Sequence, residues 1–271
     1  MITRVARGRA EVVREIRAAA PLLAGPATPT TARGPWLAAA LHAAPVPVPR
    51  VRHRAVVVDA HQQGRPDGAA LLSSAPVLHR GRRVTVHRLL GDGGPPGPPG
   101  VAPRRLPAAD ADAAALLADG VVDMVLGTRG PWQLELTGLP LGDPVLAAVG
   151  ARLGTGAVFR TTRSRALVDG LDDVGPVRRS TDPGELERWL PAFLAHRPAR
   201  SRLADVRTLI RVHAAAGVLE HAVVPAGDGA RAGLLTLLDG AARRPWFGFG
   251  PGLHDAPGQP WVSLVADSRG R

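Results

Sequence analysis

Apolar positions along this chain follow two periods, and the change from one to the other marks its elements. In the first stretch Val5, Val12, Ile16, Ala19 and Leu23 fall near one face of an α-helical turn, while Arg7, Arg9, Arg14 and Arg17 lie largely elsewhere. That spacing predicts an amphipathic helix ended near Pro21. PWLAAALHAA, with Pro35 at a tolerated first-turn position, predicts a second helix that PVPVPR breaks. The period then shortens to two. RAVVVDA, GAALLSSAPVL and RRVTVHRLL predict three strands, and HQQGRPDG and HRGR are short, turn-rich connections suited to antiparallel pairing.

GDGGPPGPPG, Gly91 to Gly100, has no apolar residue to bury and predicts a loop. A helix is expected next in PAADADAAALLADGVVDMVLG, with Leu116, Leu117, Val121, Met124 and Val125 facing a core and Gly120 a blemish in it. Trp132, Leu134 and Leu136 alternate with Gln133 and Glu135 in a strand that reads as ending at a Gly-Leu-Pro turn. Asp143 then stands as N-cap, Pro144 takes the first helical position, and Val145, Leu146 and Val149 form the inner face. GAVFRTT supplies another strand. Residues 183 to 249 repeat the order helix, helix, strand, strand, strand in DPGELERWLPAFLAHR, SRLADVRTLIRVHAAAG, VLEHAVV, ARAGLLTLLD and RPWFGFG. The repeat is one of element order, not of residues. PWVSLVA adds one more strand.

Composition narrows the chemistry. The chain has 271 residues and a net charge of +11, a balance that ordinarily suggests a polyanionic partner. It contains no Lys, Asn, Tyr or Cys, so all 34 basic residues are Arg. Lys, Asn and Tyr need A/T-containing codons, so their joint absence points to a GC-rich bacterial genome and discounts part of the charge as codon bias. Without Cys there is no thiolate nucleophile and no cysteine-ligated metal; without Lys there is no P-loop lysine and no Schiff base. No apolar run approaches the ~18 residues of a membrane span. The N-terminal segment spreads its charges and lacks a secretory pattern, so a cytoplasmic location is expected.

The remaining candidates are few. His87 and Glu135 lie near predicted strand ends, where either could deprotonate an attacking amine. Asp59 and His61 could share a strand face but have no third ligand in view, and no metal site is expected. Asp110 and Asp112 suit a helix N-terminus, and Asp172 and Asp173 a turn. His196, His213 and His221 lack metal-ligand spacing, and Ser73, Ser74 and Ser180 lack a nucleophile-elbow motif. Trp246 and Phe247 beside Arg243 and Arg244 could stack on bases, which keeps a nucleic-acid-binding reading open.

The element order, with a break after the fourth strand, resembles the GNAT superfamily of acyl-CoA-dependent acyltransferases. Two such modules in tandem resemble FemAB-like and cellulose-biosynthesis-type twin-GNAT proteins, and PWLAAAL, RLLG and ELTGLPLGDPVLAAVGARL are similar to the first module of that group. The resemblance implies an α/β fold, a GNAT-like mixed sheet flanked by helices, in two tandem modules of which the second is incomplete. Residues 1–165 would form the first module and 166–271 the second. It also implies a sheet that splays after its fourth strand, with the pantetheine of an acyl-CoA (acetyl-CoA) in the gap and its pyrophosphate cradled by a Gly-rich loop at a helix N-terminus. Gly91, Gly93, Gly94, Gly97 and Gly100 would supply that loop, and Arg104 and Arg105 would add charge-assisted bonds. The implied activity is N-acyl transfer to a small-molecule or peptide amine; the alternative is a noncatalytic protein of the same fold using its cleft or Arg-rich surface for a partner. The family's phosphate signature has no clean copy after RRVTVHRLLG. The matching spacing in RPDGAA, Arg65 to Ala70, falls in a hairpin turn.

Overall fold

Gly8, at φ 86°, separates two elements where the apolar pattern predicts one helix. Ile2–Arg7 is a strand, β1, and the helix α1 begins only at Arg9 and runs to Ala18. In strand geometry Arg4 and Val5 face opposite ways, and Arg4 reaches back to Glu15 of α1 at 2.7 Å. The computed structural model describes residues 2–25, 28–43, 51–61, 64–79, 81–92, 94–198 and 201–268. After α1 come α2 (Ala20–Leu23), α3 (Gly34–Ala43), β2 (Arg52–Asp59), β3 (Gly68–His79), β4 (Arg82–Leu89), α4 (Ala111–Leu126), β5 (Trp132–Pro140), α5 (Pro144–Leu153) and β6 (Ala157–Thr162). Then follow β7 (Arg165–Asp169), β8 (Arg178–Ser180), α6 (Pro183–Ala195), α7 (Leu203–Ala215), β9 (Leu219–Ala226), β10 (Gly229–Asp239), β11 (Ala242–Phe249), β12 (Leu253–Pro257) and β13 (Trp261–Asp267).

These elements form two compact units: Met1–Asp92, Arg104–Thr162 and Trp261–Arg271 in the first, Gly93–Pro103 and Arg163–Pro260 in the second. This division differs from a cut at residue 165 in two places. The Gly/Pro segment after β4 folds with the second unit, and β13 returns to the first.

The first unit is built on a seven-stranded sheet of order β1-β2-β3-β4-β5-β13-β6. Every neighbouring pair is antiparallel except β4 and β5, which run parallel. One face carries Val56, Leu72, Leu89, Leu134, Leu136 and Leu264, covered by α4 and α5 through Leu117, Val121, Val125 and Val149. The other carries Ala55, Val57, Leu71 and Leu90 under Val12 and Ile16 of α1 and Leu37 and Leu41 of α3. Each fully buried Leu or Val contributes about 1.5–3 kcal/mol, which is why these two stripes fix the helices. The apparent blemish in α4 has a packing cause. A Cβ on Gly120 would lie 2.7 Å from both Thr3 Cγ2 and Val56 Cγ1, so only glycine lets α4 settle this close to the sheet.

Gly138 is not a turn. β5 continues through Gly-Leu-Pro to Pro140, and Thr137 and Gly138 together oppose Ser263 of β13 in a bulge that Gly138 accommodates at φ 73°. The bulge also frees the Gly138 carbonyl from the ladder. It accepts a hydrogen bond from the Arg104 amide at 2.9 Å.

In the second unit β11-β10-β9-β8 form a four-stranded antiparallel sheet. One face packs on α6 and α7, with Phe193 edge-on to Phe249 at 5.4 Å. Ala222, Val224 and Leu234 pack instead on Leu171, Leu167 and Leu253, from the region of the two-stranded β7–β12 sheet. The order β8, α6, α7, β9, β10, β11 repeats strand, helices and three strands of the first unit. After β11 the chain enters β12 and then β13, so among the described residues the second unit has no counterpart of α4, β5 and α5. The molecule is thus an α/β protein: a mixed seven-stranded sheet flanked by helices in the first unit, and a four-stranded antiparallel sheet with two helices in the second. No helix among the described residues is long and apolar enough to cross a membrane.

Candidate functional site

Parallel pairing of β4 with β5 covers only Thr85 to Arg88 against Trp132 to Glu135. β4 ends one residue further, at Leu89; on its other edge the Leu90 amide donates to Leu71 of β3, and β5 is paired on its other edge with β13 from Gln133 to Pro140. β5 thus runs on to Pro140 with no β4 residue paired to it beyond Glu135. What lies beside that stretch is protein. The backbone of Arg104 donates to Gly138 on the β5 side, and its Nη2 donates to the Gly91 carbonyl just past β4 at 2.6 Å. Arg104 is 9% exposed, and burial pulls its pKa down from the usual arginine value, against a smaller opposing pull from Asp92. The chain then continues in hydrogen-bonded contact with the start of β3, Ala69 N to Pro107 O and Ala109 N to Asp67 O. The cavity bordered by Arg104, Arg105, Leu71 and Leu90 has a volume of about 20 Å³, room for a water molecule and no more.

The helix that follows has a filled N-terminus as well. Asp110 caps α4 by accepting from the Ala113 amide at 2.8 Å, and Asp112 adds a second negative charge to the first turn. Asp110 takes one of the first-turn amides, and the two carboxylates together answer the helix dipole that an anion would otherwise meet. The acyl-CoA that the resemblance implies does not fit the residues present: Arg104 bridges Gly91 to Gly138 beyond the β4–β5 pairing, and Asp110 caps the N-terminus of α4.

The residues singled out from the sequence are dispersed. Gly91, Arg104 and Arg105 belong to the first unit; Gly94, Gly97 and Gly100 belong to the second, where Gly100 accepts from the Gln259 amide and a Cβ on it would meet Ala166. Gly93 lies outside the described residues. His87 and Glu135 sit on opposite faces of the sheet. In the parallel register His87 pairs with Leu134, on the α4 side, whereas Glu135 pairs with Arg88 on the other.

His87 is fully buried. Its Nδ1 lies 2.8 Å from Ser74 Oγ and its Nε2 3.0 Å from Thr128 Oγ1. Because the Thr128 hydroxyl donates to the Met124 carbonyl, the network assigns Nε2–H as donor to Thr128 and Nδ1 as acceptor from Ser74. Burial, with a smaller push from Arg54, lowers its pKa to about 4. Its open lone pair is already engaged. Glu135 accepts from Arg88 Nε at 2.6 Å and from Gln133 Nε2 at 2.9 Å, and next to it Thr137 donates to Asp92 at 3.0 Å. The result is a line of satisfied polar groups along β4 and β5.

The other candidates also have structural partners. Asp59 accepts from the Gly64 amide, and His61 sits between Asp67 and Asp110, which raise its pKa, Asp67 most. His213 and His221 are buried, with pKa values lowered chiefly by that burial, and His196 stacks on Phe249. Among the described residues no three His, Asp or Glu side chains gather as a metal site.

No family model and no curated protein matches the chain. Among solved structures it is similar to a tandem GNAT protein from the clavulanic acid biosynthesis pathway, determined without acetyl-CoA, with 14% identity, 98% of each chain covered and a TM-score of 0.41. It is also similar to a probable N-acyltransferase of Enterococcus faecalis V583, at 10% identity over 97% of this chain and 72% of that one with a TM-score of 0.33. A third is a GCN5-related N-acetyltransferase from Kribbella flavida, at 14% identity over 97% and 71% with a TM-score of 0.33.

A set of residues that the sequence reading missed lies on the α4 side of the same sheet, at the opposite end of β4 from Arg104. Arg7, Arg52, Arg54, Arg83 and Arg129 line a cavity there together with Ser74, Thr85 and Thr128. The alternation in RVRHRAVVV already places Arg52 and Arg54 on one face. Their meeting with Arg7, Arg83 and Arg129 depends on strand order.

Proposed function

We propose that this protein is a noncatalytic binding protein of the GNAT fold, one that has kept the acyltransferase sheet and filled its thioester gap with its own chain. The observation that supports this reading is Arg104, bonded through its backbone to Gly138 beyond β5 pairing and through its side chain to Gly91 beyond β4. The Asp110 cap on α4 and the engaged states of His87 and Glu135 agree with it.

A second reading, acyl transfer from acetyl-CoA to an amine, is favoured by the end of β4–β5 pairing after Arg88 and Glu135. Two measurements separate the readings. S-acetyl-pantetheine, which carries no phosphate, probes the gap alone; calorimetry at millimolar ligand is expected to give no saturable heat. Acetyl-CoA with a panel of primary amines is expected to release no free thiol, and the protein, lacking cysteine, contributes no background to a thiol-reactive dye. Stoichiometric heat, or thiol release that scales with protein, would overturn the noncatalytic reading in favour of the transferase.

A further inference from the structure

On the α4 side of the first unit the sheet outruns its helix. α4 ends at Leu126, while the beginnings of β2 and β4 and the end of β3 continue past it. The uncovered surface is a cavity of about 850 Å³, within the ~300–1,000 Å³ of small-molecule sites. Register sets its lining. Arg7 of β1 pairs with Arg54 of β2, Arg52 pairs with Ser74 of β3, Ser74 with His87 and Pro76 with Thr85 of β4, and strand alternation carries Arg83 to the same face. Gly127, Thr128 and Arg129 close it from the end of α4.

Among the described residues, five arginines thus line one cavity with a single carboxylate residue, Asp123. The C-terminus of α4 adds a partial negative charge of about half a unit, which leaves most of the positive charge unanswered. Codon bias accounts for abundant arginine but not for this grouping. Elsewhere arginines find acids: Arg4 with Glu15, Arg88 with Glu135, Arg179 with Asp169 and Arg211 with Glu187, at 2.6–2.7 Å. Among the described residues none of the five is in an ion pair. Arg54 is half-buried, and burial, then Arg7 and Arg52, pull its pKa below the usual arginine value, the environment in which a bound anion gains most.

We propose that this cavity is a binding site for a small polyanion carrying two or more phosphate groups, held by Arg7, Arg52, Arg54, Arg83 and Arg129 over a floor of Ser74 and Thr85. Arginine's planar fork suits bidentate bonding to phosphate, and the hydroxyls of Thr85 and Thr3 add neutral donors. Among the described residues no aromatic side chain lines the cavity to stack on a base, so the chemistry fits inorganic polyphosphate or a phosphorylated sugar better than a nucleotide. The site lies at the other end of β4 from the Arg104 gap and does not depend on how that gap is read.

The test is calorimetry of the full chain with inorganic tripolyphosphate and, separately, with fructose 1,6-bisphosphate; tighter binding of one or the other tells the two sources apart. Expected is 1:1 binding that weakens steeply with salt and falls at least about tenfold in the Arg7→Gln/Arg54→Gln double variant. Arg129→Glu, at an exposed position, provides an independent loss should the double variant fold poorly, and Arg211→Gln, on the second unit, serves as a control that keeps full affinity. Absence of binding, or equal affinity in Arg129→Glu and wild type, would overturn the proposal. So would single-stranded RNA that displaces tripolyphosphate and binds more tightly at the same arginines, because the site would then be part of a nucleic-acid surface.

Discussion

Replacing His87 by glutamine should remove a pH-dependent part of the stability of the first unit. The wild-type imidazole is fully buried between Ser74 and Thr128 and holds a pKa of about 4 against an ordinary 6.5. A lowered histidine pKa means that the unfolded chain takes up a proton more readily than the folded one. The contribution is therefore fully present above pH 6.5 and is lost as pH falls toward 4. At about 1.4 kcal/mol per pH unit within that window, going from pH 7 to pH 4.5 costs the wild type about 2 kcal/mol through this one group. Burial leaves little solvent screening to reduce that figure. Glutamine keeps a donor and an acceptor but does not titrate. His53, His213 and His221, whose pKa values burial also lowers, titrate in both proteins and cancel in the comparison. Urea unfolding of wild type and His87→Gln at half-unit steps from pH 7.5 to 4.5 should show His87→Gln less stable at neutral pH, with the gap closing by about 2 kcal/mol at the acid end. A gap that stays constant across the range would refute the buried neutral imidazole.

Two glycines in comparable clashes should behave differently. A Cβ on Gly248 would run into the Gly233 carbonyl, which is backbone, so Gly248→Ala should cost about 3 kcal/mol or more by thermal or chemical unfolding. A Cβ on Gly150 meets instead the ring of Phe159, 49% exposed and able to swing aside, and Gly150→Ala should stay within about 1 kcal/mol of wild type. Asp143, buried, caps α5 at the Leu146 amide at 2.9 Å; Asp143→Ala should lower stability by about 1–2 kcal/mol in the same assay. The Arg4–Glu15 pair is bidentate but partly exposed, so Glu15→Gln should cost less than about 1 kcal/mol, and the difference should shrink in 1 M salt.

Where local rules decide, the sequence is readable. α5 announces itself because Asp143 and Pro144 make a cap that needs no distant partner, and α6 does so through Asp182 and Pro183. β1 is misread as helix because its strand character comes from pairing with β2, some fifty residues away, and not from its own alternation. Gly138 looks like a turn until β13 supplies the Ser263 that makes it a bulge. The placement of the two candidate bases is illegible for a related reason. Whether His87 and Glu135 meet depends on the β4–β5 register, and that register puts His87 level with Leu134 and sends the two side chains to opposite faces. Arg104 could be named as a phosphate ligand from its place after a glycine loop, but its role as a bridge needs both Gly91 and Gly138 in view.

The place of β13 between β5 and β6 has a consequence for how the molecule is made. A ribosome delivers Trp261–Asp267 only after the 98 residues from Arg163 to Pro260 have emerged. Until then β5 and β6 wait with open flanks, and Leu136 and Val149 lack the Leu264 side chain that shares their core. Nascent chains arrested before Trp261 should therefore expose this apolar seam to chaperones and proteases, and the first half of the gene product gains its full resistance last.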